Sequence, residues 1–393
     1  LFKTDRIVSK FDVLYECGKN IHAKALPSTP AQQTLLSVSE AFKSFRELKS
    51  KFLRGELDFR PKAPTYRVSG GLFKVAYPNT GAQRPKLSGD GKTLTFSMGN
   101  QVNRWFDIKS FDLPMPENLD YSKVKEFTIL PKNGAFYLEA SYEVEKEAHT
   151  LNVDEALGID LGTASNLMAC VDTLGNSFLV DSKQAKAMNQ LYNKRIAQRK
   201  KDKCQDYWDV VCGAITRKRN NQMRDLVNKS AKLVDYCTGK GLGTLVIGWN
   251  HGIKDECNMG RRENQKFVQM PLAKLKTRIS QLCEKHGIRF VETEEANTSA
   301  ASYLDGDSLP EHGKKPVGWK ASGRRSPRGL YATANRNKVN ADLNGAANIL
   351  RKVAGNLGID LSRLGRRCLT TVGRIRLWAT PKFSTCPKES QRL

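Results

Sequence analysis

The stretch GIDLGTASN, residues 158 to 166, decides how the fold of this chain is read. With the preceding residues EAL it predicts a buried β-strand that ends at Asp160, followed by a glycine turn at Gly162. Ligands of open α/β sheets bind beyond the carboxyl ends of the strands, so Asp160 is placed where chemistry occurs. A lone Asp in a turn is more often a turn residue, and the interpretation therefore depends on the rest of the chain.

The segments around this strand predict the rest of an α/β sheet. Strands are expected at 156–161, 166–171, 177–181, 243–249 and 288–293, with a helical stretch at about 183–239 and a last helix in NADLNGAANILRKVAG, residues 340–355. Three hairpin-like strands, a helical stretch, two strands and a final helix are the element order of an RNase H-like fold. In that fold the sheet order is 3-2-1-4-5, and strands 1, 4 and 5 are parallel, which gathers their carboxyl ends at one edge.

Acidic residues follow two of these strands and begin the last helix. Besides Asp160, the strand in IRFVETEEANTS ends with Glu292, Glu294 and Glu295, and Asp342 falls in the first turn of the last helix. Converging carboxylates repel one another unless a cation neutralises them, and hard oxygen ligands suit Mg²⁺ or Mn²⁺. Two such ions about 4 Å apart can activate a water and stabilise the leaving oxygen of a phosphodiester. Acidic residues are common, so this spacing alone is a weak signal.

GIDLGTASN also resembles the first phosphate loop of chaperone- and actin-like ATPases. Those proteins need a second glycine-rich phosphate loop and a glycine motif for adenosine further along the chain. After residue 166 the sequence contains no Gly-Gly pair, and its single pair, Gly70–Gly71, precedes the stretch. The sequence therefore disfavours an ATPase.

The charge of the chain predicts a polyanionic partner. There are 65 Lys and Arg against 40 Asp and Glu, a net charge of +25, and residues 186–232 hold 13 of the basic residues with only 4 acidic ones. Such an excess causes self-repulsion unless a polyanion neutralises it, and its clustering favours a nucleic-acid channel over a merely solvated helical face. The residues expected to bind nucleic acid are Lys194, Arg195, Arg199, Lys200, Lys201, Arg217, Lys218, Arg219 and Arg224.

The flanking segments complete the predicted α+β multidomain organisation. Residues 30–54 carry an amphipathic helical pattern, whose apolar stripe of Leu35, Leu36, Val38, Phe42, Phe45, Leu48 and Phe52 is expected to be part of a core. From about 65 to 150, alternating strands around Gly-Asp and Asn-Gly turns predict a small antiparallel sheet or barrel. The predicted domains are 1–64, 65–150 and 151–355, and low order is expected in the basic tail, 356–393.

Composition excludes other classes of protein. No run of about 18 apolar residues occurs, which argues against a membrane span. Nine cysteines without a CxxC pair are typical of reduced thiols in a cytoplasmic protein, not of a disulfide or zinc framework. We expect no signal peptide, an expectation limited by a sequence that begins at Leu1 and not at Met.

Taken together, these motifs resemble the TnpB family, the OrfB-type proteins of insertion sequences, which are small relatives of type V CRISPR effectors. LPSTPAQQTLLSVSEAFKSFRELKSKF resembles the helical recognition segment of the family, PTYRVSGGLFKVAYP its β-barrel wedge domain, and GIDLGTASN, TRKRNNQMRDLVNKSAKLV and NADLNGAANILRK its RuvC nuclease core. The sequences of two segments resemble a cyanobacterial-type branch of the family: TLVIGWNHGIKDECNMGRRENQKFVQMP and TEEANTSAASYLDGDSLP.

The resemblance implies roles for particular residues. Asp160 matches the first catalytic aspartate and Asp342 the third, but Gly248 stands where most members carry the catalytic glutamate at the end of the fourth strand. A glutamate at the end of the neighbouring fifth strand, about 4.8 Å away, would reach the same metal ions. Glu295 is the choice, and Glu294 and Glu256 are the fallbacks; since side chains alternate, Glu294 and Glu295 should not both point inward.

A second departure from the family concerns zinc. Family members usually insert a zinc ribbon of two CxxC pairs before the last helix, here at about 298–338. Ser302 and Asp305 occupy the places of the first pair, and RGLYATANRN contains no cysteine for the second. We therefore expect no structural zinc in the protein, and a 312–338 loop that is held by other contacts or is mobile.

The activity implied by the resemblance is RNA-guided DNA cleavage in the bacterial cytoplasm, at the nucleoid, with guide RNA and target DNA as partners and Mg²⁺ or Mn²⁺ as cofactor. The guide would read the sequence, and the protein the backbone and a short adjacent motif. Two alternatives are a nuclease-dead relative that only binds guided DNA and, less favoured, a DDE-type transposase.

Overall fold

The structure is a computed structural model that describes residues 9–67, 70–81, 83–162, 166–201, 203–204, 207–250, 270–370 and 373–378. The chain forms two compact units, Leu1–Val144 and Glu145–Leu393. The helical segment and the strand-rich segment predicted from the sequence both fall in the first unit, and the predicted domain boundaries inside each unit stay predictions.

The first unit combines helices with two small antiparallel sheets. Its helices are α1 (Lys10–Cys17), α2 (Ile21–Lys24), α3 (Ser28–Leu53) and α4 (Asn100–Phe106). Its strands are β1 (Val75–Pro78), β2 (Lys86–Leu87), β3 (Thr93–Ser97), β4 (Ser110–Pro114), β5 (Val124–Lys132) and β6 (Ala135–Tyr142). The strand orders are β1-β5-β6 and β2-β3-β4, and Phe96, Phe127 and Tyr77 pack in one core between them.

The apolar stripe of α3 differs from its expected place in a core. Only Pro30 and Ala31 of this helix are buried, whereas Val38 and Leu48 are 48% and 38% exposed. Within its unit α3 contacts α1, α2 and β1, and these short elements are too small to cover seven turns of helix.

The second unit is built on a six-stranded mixed sheet. Its strands are β7 (Asn152–Leu161), β8 (Asn166–Asp172), β9 (Ser177–Asp181), β10 (Leu242–Gly248), β11 (Arg289–Thr293) and β15 (Gly373–Ile375). The order is β11-β10-β7-β8-β9-β15. Strands β7, β8 and β9 are antiparallel, and β10 and β11 run parallel to β7. The first five strands thus have the expected order 3-2-1-4-5, and β15 is an addition at the edge.

Helices cover both faces of this sheet. The helices are α5 (Lys183–Lys200), α6 (Trp208–Ala231), α7 (Leu233–Lys240), α8 (Leu272–His286), α9 (Ala341–Leu357) and α10 (Arg366–Thr370). On one face α6, α7 and α8 pack against Ile159, Leu245 and Ile247. On the other, α9 and α10 pack against Ala156 and Val246. Helices on both faces explain why β8 and β10 are buried along their whole length and do not alternate between buried and exposed residues.

The insert before α9 contains a third small sheet. Strands β12 (Arg324–Ser326), β13 (Leu330–Ala332) and β14 (Lys338–Asn340) pair in that order. Hydrogen bonds to Asp305, which occupies a cysteine position of the family's zinc ribbon, join the first part of the insert to the later part that contains this sheet. The Asp305 carboxylate accepts from the Ser322 hydroxyl at 3.1 Å and the Ala334 amide at 2.9 Å.

The segment after α9 also differs from its expectation. Low order was predicted from residue 356, but α10 and β15 lie within 356–378, and Leu369 and Leu377 are buried. The apolar runs in this basic segment are too short to show a helical or strand periodicity. The strand β15 is regular because it pairs with β9. Among the described residues, none of the helices has the length and apolar character needed to cross a membrane.

Candidate metal centre

Asp160 lies on the face of the sheet that α9 covers. Along β7, Ile159 packs on the opposite face, so Gly158 and Asp160 point towards α9. A Cβ at Gly345 of α9 would be 2.5 Å from the Asp160 Oδ2 atom. Helix α9 therefore approaches the aspartate closely because residue 345 has no side chain.

Glu295 reaches the same face from beyond the end of β11, which is separated from β7 by β10. Ile159 pairs with Ile247, so Gly248 is the residue beside Asp160 on β10. A Cβ at Gly248 would be 2.7 Å from the Glu295 Cγ and 2.9 Å from its Oε1 atom. The side chain of Glu295 thus fills the space that a side chain at position 248 would occupy.

Asp342 enters the site from the first turn of α9. The Asn340 side chain caps this helix by accepting hydrogen bonds from the amides of Asp342 and Leu343, both at 3.0 Å. The amino end of a helix stabilises a carboxylate. The Asp342 Oδ2 atom accepts a hydrogen bond from the Asn166 amide at 2.8 Å, and its Oδ1 atom lies 3.3 Å from Arg325.

The electrostatics link Asp160 to the other two carboxylates. Burial and the nearby charges of Glu295 and Asp342 raise the pKa of Asp160 to about 8, against a smaller opposite effect of Arg325. Burial also raises the pKa of Glu295 to about 7, and Lys352 opposes that rise. Desolvated, mutually repelling carboxylates with oxygen ligands fit a hard divalent cation, which would stabilise their ionised forms.

Among the described residues, the other candidate glutamates do not join Asp160. The Glu294 carboxylate accepts a hydrogen bond from Lys352 at 2.9 Å and from the His312 amide at 3.2 Å, and its pKa is lowered, chiefly by the bond to Lys352. Glu292 forms an ion pair with Lys276 at 2.7 Å. Glu256 lies outside the described residues. The structure therefore places Asp160, Glu295 and Asp342 on one face of the sheet, near enough for the charges of Glu295 and Asp342 to raise the pKa of Asp160, whereas Glu292 and Glu294 pair with lysines.

Two asparagines of α9 hold the loop that carries Glu295. The Asn344 amide donates to the Ala301 carbonyl at 2.8 Å, and the Asn348 amide donates to the carbonyls of Thr298 and Ala301 at 2.9 Å. Both asparagines are fully buried. Sequence reasoning missed them because an Asn inside an amphipathic helix carries no periodic signal.

Arg374 of β15 was also missed, since this strand was expected to be disordered tail. It donates a hydrogen bond to the Asn166 Oδ1 atom at 3.3 Å, and Asn166 in turn donates to Asp342. The edge strand thus orients a residue of the site through one intermediate side chain.

The predicted nucleic-acid-binding residues lie on α5, at its C-cap residue Lys201, and on α6. Those that are exposed are Lys194, Arg195, Arg199, Lys201, Lys218 and Arg224. Arg219 is different because its Nε donates to the Asn189 Oδ1 atom at 3.0 Å, which ties α6 to α5. Lys200 lies 3.8 Å from the ring of Trp208, and Arg217 is half-buried.

The arrangement described so far is a mixed sheet, covered by helices on both faces. One carboxylate lies at the end of β7, one follows β11, and one lies in the first turn of α9. Residues 139–254, which contain Asp160, α5, α6 and β10, match the sequence model of the OrfB_IS605 family, described as "Probable transposase". The resemblance to the OrfB-type, TnpB family is confirmed over this segment, which does not include Glu295 or Asp342. The cyanobacterial-type branch stays a prediction, and no curated protein matches the chain.

Three of the solved structures similar to the chain are two Cas12f complexes and a CRISPR-Cas_phi3 structure. A Cas12f1–sgRNA–target DNA complex is 13% identical with a TM-score of 0.48, over 87% of this chain and 78% of that chain. A CRISPR-Cas12f ternary complex is 15% identical with a TM-score of 0.37, over 86% and 78%. The mini-RNA-guided endonuclease CRISPR-Cas_phi3 is 13% identical with a TM-score of 0.33, over 66% and 57%.

Proposed function

We propose that this protein is an RNA-guided DNA endonuclease whose second unit is an RNase H-like, RuvC-type nuclease. The observation that carries the proposal is the convergence of Asp160, Glu295 and Asp342 on one face of the sheet, where their proximity and burial raise the pKa of Asp160 to about 8. The family match over residues 139–254 and the exposed basic residues of α5 and α6 support it.

In this proposal Asp160, Glu295 and Asp342 hold magnesium or manganese. The chemistry supplied by such ions, when bound, is activation of a water and stabilisation of the leaving oxygen of a phosphodiester. The protein orients the carboxylates: Asn166 and the cap by Asn340 fix Asp342, and Asn250 donates to the Glu295 carboxylate at 3.5 Å. Arg325, whose side chain is 55% exposed beside Asp342, is placed to contact a DNA phosphate.

Sequence recognition is assigned to the bound RNA. The exposed basic residues on α5 and α6 contact the phosphates of a nucleic acid, which gives affinity without base specificity. Base pairing between the guide and the target strand then selects the DNA, and the protein reads duplex shape and a short adjacent motif.

The test uses the full chain, expressed with its flanking genomic DNA so that a guide RNA is made. Bound RNA is sequenced, and a plasmid carrying the matching target is incubated with the complex and Mg²⁺. We expect one discrete RNA species and guide-dependent cleavage, which is lost in Asp160→Asn and kept in Glu294→Gln. Absence of a discrete RNA from the purified protein contradicts the proposal.

Two other functions have an observation each in their favour. Gly248 in place of the usual glutamate favours a nuclease-dead protein, for which wild-type protein would bind guided DNA and leave it intact. The family description as a transposase favours a protein that joins DNA ends, and strand transfer by the purified chain in the same reactions would support it.

A further inference from the structure

A second cluster of metal-ligating side chains lies in the same unit, apart from the three carboxylates. Glu147 and His149 belong to the segment that enters β7, and His286 is the last residue of α8. The His149 Nε2 atom lies 3.0 Å from the His286 Nδ1 atom. The Glu147 Oε2 atom lies 3.0 Å from His286 Nδ1 and 3.5 Å from His149 Nε2.

The spacing of these three atoms matches the ligand shell of a transition metal. A point equidistant from all three lies about 1.9 Å from each, and zinc bonds to histidine nitrogen and carboxylate oxygen are about 2.0–2.2 Å long. An ion at bonding distance therefore fits slightly out of the plane of the three atoms, with its remaining positions open to water.

Hydrogen bonding alone satisfies this cluster poorly. His286 Nδ1 is 3.0 Å from two partners, and one ring proton cannot point at both. The His286 side chain is only 11% exposed, so water has little access to it. A bound cation accepts lone pairs from all three side chains at once.

The surroundings orient the carboxylate, and the end of α8 stabilises positive charge. Lys285 lies 2.6 Å from the Glu147 Oε1 atom, which leaves Oε2 directed at the histidines. The Glu147 amide donates to the Lys285 carbonyl at 2.8 Å, so the segment is fixed to the helix end by its backbone as well. The cluster also lies at the carboxyl end of the 15-residue helix α8, where the helix dipole stabilises cations.

We propose that Glu147, His149 and His286 bind a divalent first-row transition metal ion, which clamps the segment entering β7 to the end of α8. Two imidazoles and one carboxylate select zinc-like ions over magnesium. This ligand set differs from the cysteine ribbon whose absence the sequence predicts, and the proposal does not depend on nuclease activity.

Zinc binding by the full-length chain tests the proposal. The protein is stripped with a chelator and titrated calorimetrically with Zn²⁺, as wild type, as His149→Ala/His286→Ala, and as the control His22→Ala/His312→Ala. The control also removes two of the five histidines, both exposed. We expect one zinc site in wild type and control, weakened at least about 10–100-fold in the first double variant.

Cobalt spectra separate this site from adventitious binding by the nine cysteines. Co²⁺ bound to nitrogen and oxygen ligands gives visible bands without thiolate charge transfer, and those bands should disappear in His149→Ala/His286→Ala. Should that variant unfold, His149→Ala alone, at an exposed position, gives the same comparison. Unchanged zinc affinity in the folded histidine variants, or a spectrum dominated by thiolate bands, would overturn the proposal.

Discussion

At the scale of single residues, alternation along three neighbouring strands explains how a glutamate from a different strand completes the centre. Asp160 and Gly248 are side by side on the face covered by α9, and Thr293 pairs with Gly248 on β11. Glu295, two residues after Thr293, lies on the same face as Thr293. The side chain of Glu294 points away from that of Glu295 and pairs with Lys352. The carboxylate is displaced along the chain, but it occupies the same space beside Asp160.

Transfer of the glutamate back to β10 tests this equivalence. We expect Glu295→Ala to lower cleavage by more than the roughly 10–100-fold typical of an outer-shell partner, since a metal ligand is lost. Gly248→Glu added to Glu295→Ala should restore part of the activity, because removal of Glu295 takes away two of the three closest contacts of a Cβ at 248 and leaves only the end of the Ile349 side chain to shift. The measurement is the rate of plasmid cleavage at saturating Mg²⁺.

Gly248→Glu alone is the control for this transfer. Its Cβ would lie 2.5 Å from Ile349 Cδ1 and 2.7 Å from Glu295 Cγ, so overpacking of about 1–3 kcal/mol is expected in thermal unfolding. If the double variant folds and is no more active than Glu295→Ala, the two positions are not equivalent.

A second residue-scale prediction concerns Gly345. Ala is a better helix former than Gly by about 1 kcal/mol, but a Cβ here would lie 2.5 Å from the Asp160 Oδ2 atom. Gly345→Ala should therefore displace the carboxylate and weaken Mn²⁺ binding, measured by the thermal shift on adding the metal. Gly355→Ala on the same helix is the control, because among the described residues no heavy atom beyond its own helix backbone lies within 4 Å of a Cβ there, and it should leave the metal-induced shift unchanged.

At the scale of elements, much of the second unit could be predicted from the sequence. The β7 strand is placed from its carboxyl end. The five sheet strands lie within a few residues of their expected positions, four of them because they are mainly apolar runs, whereas the fifth, β11, mixes apolar and polar residues. The edge strand β15 could not be predicted, since its regularity depends on pairing with β9. Helix α3 was predicted to bury its apolar stripe, and none of the residues of that stripe is fully buried. Periodicity identifies an apolar face but not the elements that cover it.

The candidate site divides in the same way. Asp160, Asp342 and Glu295 end or begin elements that the sequence defines, so their convergence followed from topology. Arg325, Asn344 and Asn348 gain their roles only from contacts with distant segments, which no local pattern encodes.

The α5–α6 pair gives an element-scale prediction. Arg219 donates to the buried Asn189 and lies 5.6 Å from the Tyr192 ring, and burial lowers its pKa. Arg219→Ala should lower the free energy of unfolding by about 1–3 kcal/mol, since the buried Asn189 carbonyl oxygen loses its partner. Lys218→Ala, at an exposed position one residue away, should change it by less than about 0.5 kcal/mol. Chemical denaturation measures both, and equal effects would show that Arg219 is not a tie between the helices.

At the scale of the whole molecule, net charge and its location make different predictions. A charge of +25 attracts any polyanion, so RNA binding alone says little about a specific surface. The number of phosphates contacted by a defined group of side chains can be measured, because each contact releases counterions and steepens the dependence of affinity on salt.

The last prediction uses this dependence. Removal of three exposed basic residues from α5, as Lys194→Ala/Arg195→Ala/Arg199→Ala, should reduce the slope of log K against log salt for RNA by about 2, at about 0.7 per contact. The control Lys92→Ala/Lys109→Ala/Lys132→Ala removes the same charge from exposed positions of the first unit outside the predicted recognition segment, and its slope should stay near that of wild type. Filter binding between about 50 and 200 mM salt covers the sensitive range. Equal reductions in both variants would mean that total charge, and not the α5–α6 surface, determines the affinity for RNA.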